Sequence, residues 1–194
     1  MAAPFLLLRE FIRSPLVTGA VLPSSLGLAR QVTVSVPERG DPVVVELGPG
    51  TGAITSAIQR RLAGRGKHLA IERNPRFAET VAGRFPEVDV ILGDATSLPH
   101  QLAARNLTAD VIVSSLPWTA YEGPLLSAVG QSLKCTGVFT QIAYAWTHWT
   151  PPSKRRLSDL RDTFEEVVIS RTVWMNSPPA LIYFARRQRT CSDD

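Results

Sequence analysis

The sequence predicts an α/β fold, a doubly wound and mostly parallel seven-stranded sheet with an antiparallel C-terminal hairpin and an N-terminal helical cap. Three observations predict it. From residue 43 onward, short β-branched runs alternate with amphipathic stretches, the pattern of strands joined by crossover helices. The stretch VVVELGPGTG, Val43 to Gly52, leads a strand straight into a loop with a glycine at every second position. The last two apolar runs are joined by Asn176-Ser177-Pro178-Pro179, a connection too short for parallel pairing, so they must form a hairpin at one end of the sheet.

Residues 1–42 lack the alternation, contain a Pro-Ser-Ser loop at 23–25, and are read as a cap of one or two helices. The strands follow at 43–47, 67–72, 88–92, 110–115 and 137–144, with helices at 53–64, 75–85, 97–105 and 122–134 between them. Gly64 and Gly66 punctuate the first of these helices, and Asn74-Pro75 offers a cap and a first-turn proline to the second. A polar stretch at 152–162 precedes the hairpin strands at 164–174 and 180–186. The expected organisation is therefore a cap or lid over 1–42, a core domain over 43–187 and a flexible tail over 188–194.

With 194 residues and 44% hydrophobic content, the chain can bury one sizeable core. No apolar run reaches the roughly 18 to 20 residues that cross a bilayer. The start, MAAPFLLLRE, has neither a basic region nor a long apolar region before a small-residue cleavage site, which points to the cytoplasm or the cytoplasmic face of a membrane. Cys135 and Cys191 are too few and too far apart to suggest a disulfide framework or a metal cluster; Cys135 is read as a small buried residue and Cys191 as tail. Net charge is +4, and only Lys67, Lys134 and Lys154 of the 21 basic residues are lysine. Such a balance permits anionic partners without requiring them. His68 and His100 have no constellation around them.

The glycine loop narrows the chemistry. A phosphate-binding P-loop needs Lys-Ser or Lys-Thr after its last glycine, and Gly52 is followed by Ala53-Ile54. A dinucleotide fingerprint needs glycines at relative positions one, three and six, whereas Gly48, Gly50 and Gly52 sit at one, three and five. The pattern of Glu46, Gly48, Gly50 and Gly52 resembles the S-adenosylmethionine site of Rossmann-like methyltransferases instead. Glu72 closes the second strand, where a carboxylate can accept both ribose hydroxyls. The resemblance implies that Asp94 and the amide at Ala95 meet the adenine edge, and that Ser114-Ser115-Leu116-Pro117-Trp118 carries the methyl-acceptor motif, with Ser114 beside the cofactor.

Nearly the full length is similar to the bacterial phospholipid N-methyltransferases, which methylate phosphatidylethanolamine, and to the related group described as rRNA adenine methylase-like. The resemblance rests on FLLLREFIRSPLVTGAVLPSS, VELGPGTGAIT, AIERNPRFAE, the Gly-Asp-Ala turn, VIVSSLPW and NSPPALIYFAR. It implies a methyltransferase of the headgroup amine, with Ser115, Trp118 and Tyr121 as the candidate catalytic residues. That family usually reads Ser-Gly-Leu-Pro and then an aliphatic residue, so Ser115 and Trp118 depart from it. Adenine N6 methyltransferases place Asn or Asp where Ser115 stands, and a hydroxyl cannot reproduce the amide's paired donor and acceptor.

Two further features bear on the acceptor. On a helix, Phe5, Leu7, Leu8, Phe11 and Ile12 face one way and Arg9, Glu10 and Arg13 the other, so 5–13 can lie in a membrane interface or pack on its own domain. Thr18 to Ser25 would follow as a lid loop. Tyr144, Trp146 and Trp149, with Trp118 and Tyr121, can line a cage for a cationic amine, and Tyr121 or Glu122 can relay a proton. The competing expectations are a soluble amine acceptor, an RNA adenine acceptor, which the absence of a basic stripe and of an appended RNA-binding domain disfavours, and a non-catalytic binding module.

Overall fold

The β-branched run Val43, Val44, Val45 fits a pleated surface covered on both sides, and Val43–Leu47 forms strand β1 with every residue buried. The computed structural model describes residues 25–116 and 124–191, so the expected helix at 5–13, the lid loop through residue 24, and Trp118 and Tyr121 lie outside the described residues. Helix α1 (Leu26–Val32) precedes β1; Ser25 caps it by accepting the Leu28 N–H. After β1 come α2 (Ala53–Leu62), β2 (Lys67–Glu72), α3 (Pro75–Arg84), β3 (Asp89–Leu92), α4 (Leu98–Ala103), β4 (Ala109–Ser114), α5 (Leu125–Ser132), β5 (Leu133–Tyr144), α6 (Pro151–Thr163), β6 (Phe164–Ile169) and β7 (Ala180–Gln188). Asn74 caps α3 with Pro75 in its first turn, as its sequence predicts.

The strands form one sheet in the order β3-β2-β1-β4-β5-β7-β6. The first five run parallel, and β7 is inserted antiparallel between β5 and β6. Side chains alternate across the pleat. Val43, Val45 and Leu47 face Leu98, Leu102, Val129 and Leu160 of α4, α5 and α6. Val44 turns the other way, to Leu28, Val32, Ile54 and Ile58 of α1 and α2. Helix α1 is therefore part of the core that supports β1.

Three expectations are corrected. The polar stretch at 152–162 is helix α6, which buries Leu160 and Ser153 and supplies the crossover that makes β6 run parallel to β5. Its apolar stripe is only Leu157 and Leu160, too thin to register as helical periodicity. The strand at 164–174 stops at Ile169; beyond it the Ser170 N–H still donates to the Ile182 carbonyl at 2.8 Å, and Val173 pairs with Ala180. Strand β5 begins at Leu133, four residues earlier than its β-branched run.

The cysteine reading is also corrected. Cys135 is exposed and forms a disulfide with Cys191. Antiparallel pairing sets the start of β5 against the end of β7, and the chain then turns back as the Cys191 N–H donates to the Gln188 carbonyl. Two residues separated by 56 positions thus meet with their Cα atoms 5.7 Å apart. The bridge lies at the opposite end of the sheet from the strand carboxyl ends. Cys191→Ala is accordingly expected to cost roughly 2–4 kcal/mol and to lower Tm by roughly 4–16 °C, with cofactor affinity unchanged; calorimetry under non-reducing conditions checks both.

Candidate functional site

Register brings four strand ends into one row. Leu47 lies between Ile71 of β2 and Ser114 of β4, and Glu72 lies beside Leu92 of β3. With neighbouring strands about 4.8 Å apart, the loops leaving these ends emerge within about 15 Å of one another. The strand order reverses at β1, the place where open α/β sheets bind ligands.

The glycine loop after β1 is held from below. The Gly48 N–H donates to the Ile71 carbonyl at 3.0 Å. Arg84 of α3 donates to the Thr51 carbonyl, and its guanidinium lies 5.1 Å from the Phe85 ring centroid. Gly52 has φ +85°, and a Cβ there would stand 2.8 Å from the Phe85 ring, so only glycine lets α3 close against the loop. At Gly50 the φ is +55° and nothing lies within 4 Å of where a Cβ would stand, so the loop presents bare backbone on its open side.

Glu72 is buried, and its two oxygens are divided between two loops. Oε2 accepts the Gly50 N–H at 3.1 Å and Oε1 accepts the Asn74 N–H at 2.9 Å. Burial raises its pKa above the ordinary 4.5; the backbone donors at Asn74, Gly50 and Arg73 oppose that rise, and the charge of Glu46 adds to it. Asp94 is exposed. Its Oδ1 accepts both the N–H and the hydroxyl of Thr96, at 2.9 and 2.7 Å, which holds its pKa below the ordinary value with help from Arg73. Oδ2 has no hydrogen-bond partner among the described residues, and Ala95 is buried behind it.

Glu46 sits differently. Its carboxylate is fully buried and directed at α2 and β2, where Oε2 accepts the Thr55 hydroxyl at 2.7 Å and lies 3.3 Å from His68 Nε2. Gln59 Nε2 and His68 Nδ1 are hydrogen-bonded at 2.9 Å. The expectation that His68 has no constellation is corrected: it is one member of a buried four-residue network, unreadable beforehand because Thr55 and Gln59 reach it only once α2 packs on β2.

At the end of β4, Ser114 is fully buried and its hydroxyl accepts the Leu116 N–H at 3.4 Å, while the Ser115 N–H donates to the Leu47 carbonyl at 2.9 Å. The Ser115 hydroxyl is buried with no partner among the described residues. Gln141 of β5, in register with Ser114, donates from Nε2 to the carbonyls of Leu116 and Ile142 at 2.9 and 2.7 Å. Sequence reasoning passed over Gln141. Its signal was a lone amide in the otherwise apolar end of a strand.

The aromatic residues after β5 make contacts of their own, and Trp118 and Tyr121, the other rings of the expected cage, lie outside the described residues. Tyr144 stacks on Trp146 with centroids 6.5 Å apart, and His148 bonds the Tyr183 hydroxyl at 2.6 Å while meeting Trp149 edge-on. Burial lifts the phenols of Tyr144 and Tyr183 to about 12.

No protein-family model matches the chain. An ornithine lipid N-methyltransferase from Singulisphaera acidiphila is 32% identical over 190 residues, covering 94% of this chain and 95% of that protein. A ribosomal RNA small subunit methyltransferase A from Sinorhizobium fredii is 32% identical over 97 residues, covering 48% of this chain and 31% of that protein. Among solved structures, human methyltransferase-like protein 13 in complex with SAH superposes with a TM-score of 0.63 at 16% identity, covering 86% of this chain and 83% of that one. Aeropyrum pernix fibrillarin with natively bound S-adenosyl-L-methionine gives 0.59 at 19% identity, covering 81% and 73%. The two structures share the fold.

An ionised Glu72 carboxylate accepts from both hydroxyls of a diol, more strongly than the protonated acid can, and burial raises its pKa above the ordinary 4.5. Cofactor affinity is therefore expected to fall on acidification at pH values where an ordinary glutamate would still be charged. Glu72→Gln should weaken binding roughly tenfold to a hundredfold, the range of charge-assisted hydrogen bonds, and should remove that pH dependence in a calorimetric titration.

Proposed function

We propose, from the premise that this chain belongs to the class I S-adenosylmethionine-dependent methyltransferases, that it methylates the headgroup amine of a membrane lipid, with phosphatidylethanolamine the leading candidate. One observation carries the lipid reading: the likeness to a lipid N-methyltransferase runs through almost the whole of both chains, whereas the likeness to an RNA enzyme covers a minor part of that enzyme. Ornithine lipid is the second candidate, and both lipids present a primary amine.

The strand-end residues fit the cofactor. Each Glu72 oxygen keeps lone-pair capacity beyond the backbone N–H it already accepts, which suits the two hydroxyls of a ribose. Asp94 Oδ2 suits the exocyclic amine of adenine, and the open side of Gly50 suits a ligand lying along the backbone. Glu46 supports this set from behind by tying α2 to β1. S-adenosylmethionine supplies an electrophilic methyl on a sulfonium; transfer breaks the sulfur–carbon bond, forms the nitrogen–carbon bond and leaves S-adenosylhomocysteine.

The chain's own residues then have to deliver a neutral amine in line with that methyl. The Ser115 hydroxyl and the Leu116 carbonyl are hydrogen-bond acceptors for the amine N–H groups, and Gln141 fixes the carbonyl that the amine would meet. From the sequence, Trp118 is assigned as the aromatic residue of the acceptor motif, and Tyr121 or Glu122 as a relay that takes up the released proton while passing one on to solvent.

Purified protein incubated with radiolabelled S-adenosylmethionine and vesicles containing either phosphatidylethanolamine or ornithine lipid, then extracted and chromatographed, tests the proposal. Label is expected in the methylated lipid, and the two vesicle types identify the headgroup. Label absent from both lipids, with cofactor binding intact, would transfer the reading to a soluble amine.

A further inference from the structure

Large apolar side chains stand exposed at the same end of the sheet as the strand carboxyl ends. Trp146 is 66% exposed, Trp149 74%, Trp174 76% and Met175 88%. They are gathered by the strand pairing. Ala180 at the start of β7 pairs with Tyr144 on one side and Val173 on the other, and the Ala145 N–H donates to the Pro179 carbonyl at 2.8 Å. Trp146 lies two residues past Tyr144, and Trp174 follows Val173. Trp149 precedes the first turn of α6 and packs edge-on against His148. The core does not need these rings, because none of them is buried.

The charge around them is of one sign. Neither 144–156 nor 170–179 contains an aspartate or glutamate. Arg171 is exposed beside the Trp174 turn, and Lys154 and Arg155 are exposed near the start of α6. None of the three has a carboxylate partner among the described residues, whereas Arg156 pairs with Asp159 at 3.3 Å. Cations at a helix N-terminus oppose the helix dipole, so α6 itself gains nothing from Lys154 and Arg155. Clustered exposed tryptophans mark an interaction surface. An indole prefers the boundary where an apolar layer meets water, and cations beside it are drawn to anionic headgroups. A bilayer supplies both environments in one plane.

We infer that this face, formed by the turns at 144–156 and 170–179, docks the protein onto an anionic lipid bilayer, with Trp146, Trp149 and Trp174 in the headgroup region. The inference rests on the lipid reading for its purpose: the docked face belongs to the end of the sheet at which the cofactor and acceptor loops emerge, so a headgroup need not leave the bilayer's surface to reach them. No helix among the described residues is long and apolar enough to cross a membrane.

Co-sedimentation with vesicles of phosphatidylglycerol and phosphatidylcholine tests the surface. A Trp146→Ser, Trp149→Ser, Trp174→Ser variant is expected to lose at least tenfold in partition while keeping the S-adenosylmethionine affinity of the parent protein. A Lys154→Gln, Arg155→Gln, Arg171→Gln variant should lose binding on the anionic vesicles and flatten its salt dependence, and it keeps the test decisive if the tryptophan variant does not fold. Partition undiminished in both variants, or no partition by the parent protein, overturns the surface. Methylation of amine lipid in detergent micelles is read alongside: label there with unchanged vesicle partition leaves the lipid reading standing and removes this docking face, whereas no label in micelles or vesicles removes the lipid reading itself.

Discussion

The Glu72 carboxylate is the interaction on which the site depends. It is buried at the end of β2, yet it accepts one N–H from the loop after β1 and one from the loop after β2. A buried charge is costly unless hydrogen bonds compensate it. Here the compensation comes from backbone donors, so the energetic need of the carboxylate fixes the conformation of the glycine loop. Burial raises its pKa above the ordinary value, and the backbone donors partly offset that rise.

Around this point the fold builds supports of the same kind. Arg84 holds the loop by the Thr51 carbonyl, Glu46 and His68 tie α2 to β1 and β2, and Gln141 holds the turn after β4 by the Leu116 carbonyl. Leu116 in turn rests on Gly48: a Cβ on that glycine would stand 2.6 Å from its side chain. The glycine loop after β1 and the turn after β4 are thereby in direct contact, so a change in one alters the position of the other.

The parallel half of the fold was legible because β1, β3 and β4 are β-branched runs and β2 carries the apolar run Leu69-Ala70-Ile71, and a parallel sheet covered on both faces leaves little else for such runs to be. The placement of Glu72 at the end of β2 and of Asp94 just past β3 was legible for a related reason, since both close apolar runs that form strands. What was not legible depends on tertiary contact. Helix α6 has two apolar residues in thirteen and is anchored mainly by Leu160. The Cys135–Cys191 bridge and the His68 network join residues whose proximity follows from strand pairing and helix packing. The aromatics after β5 were correctly placed at a strand end, where Trp146 and Trp149 are exposed.

We propose that the row of strand ends holds S-adenosylmethionine with its ribose on Glu72. A crystal structure of the protein with S-adenosylhomocysteine tests it most directly. Both ribose hydroxyls are expected within hydrogen-bond distance of the Glu72 oxygens, with the adenine amine at Asp94 Oδ2 and the backbone of Gly50 against the ligand. A nucleoside bound with its ribose away from Glu72 would contradict the claim.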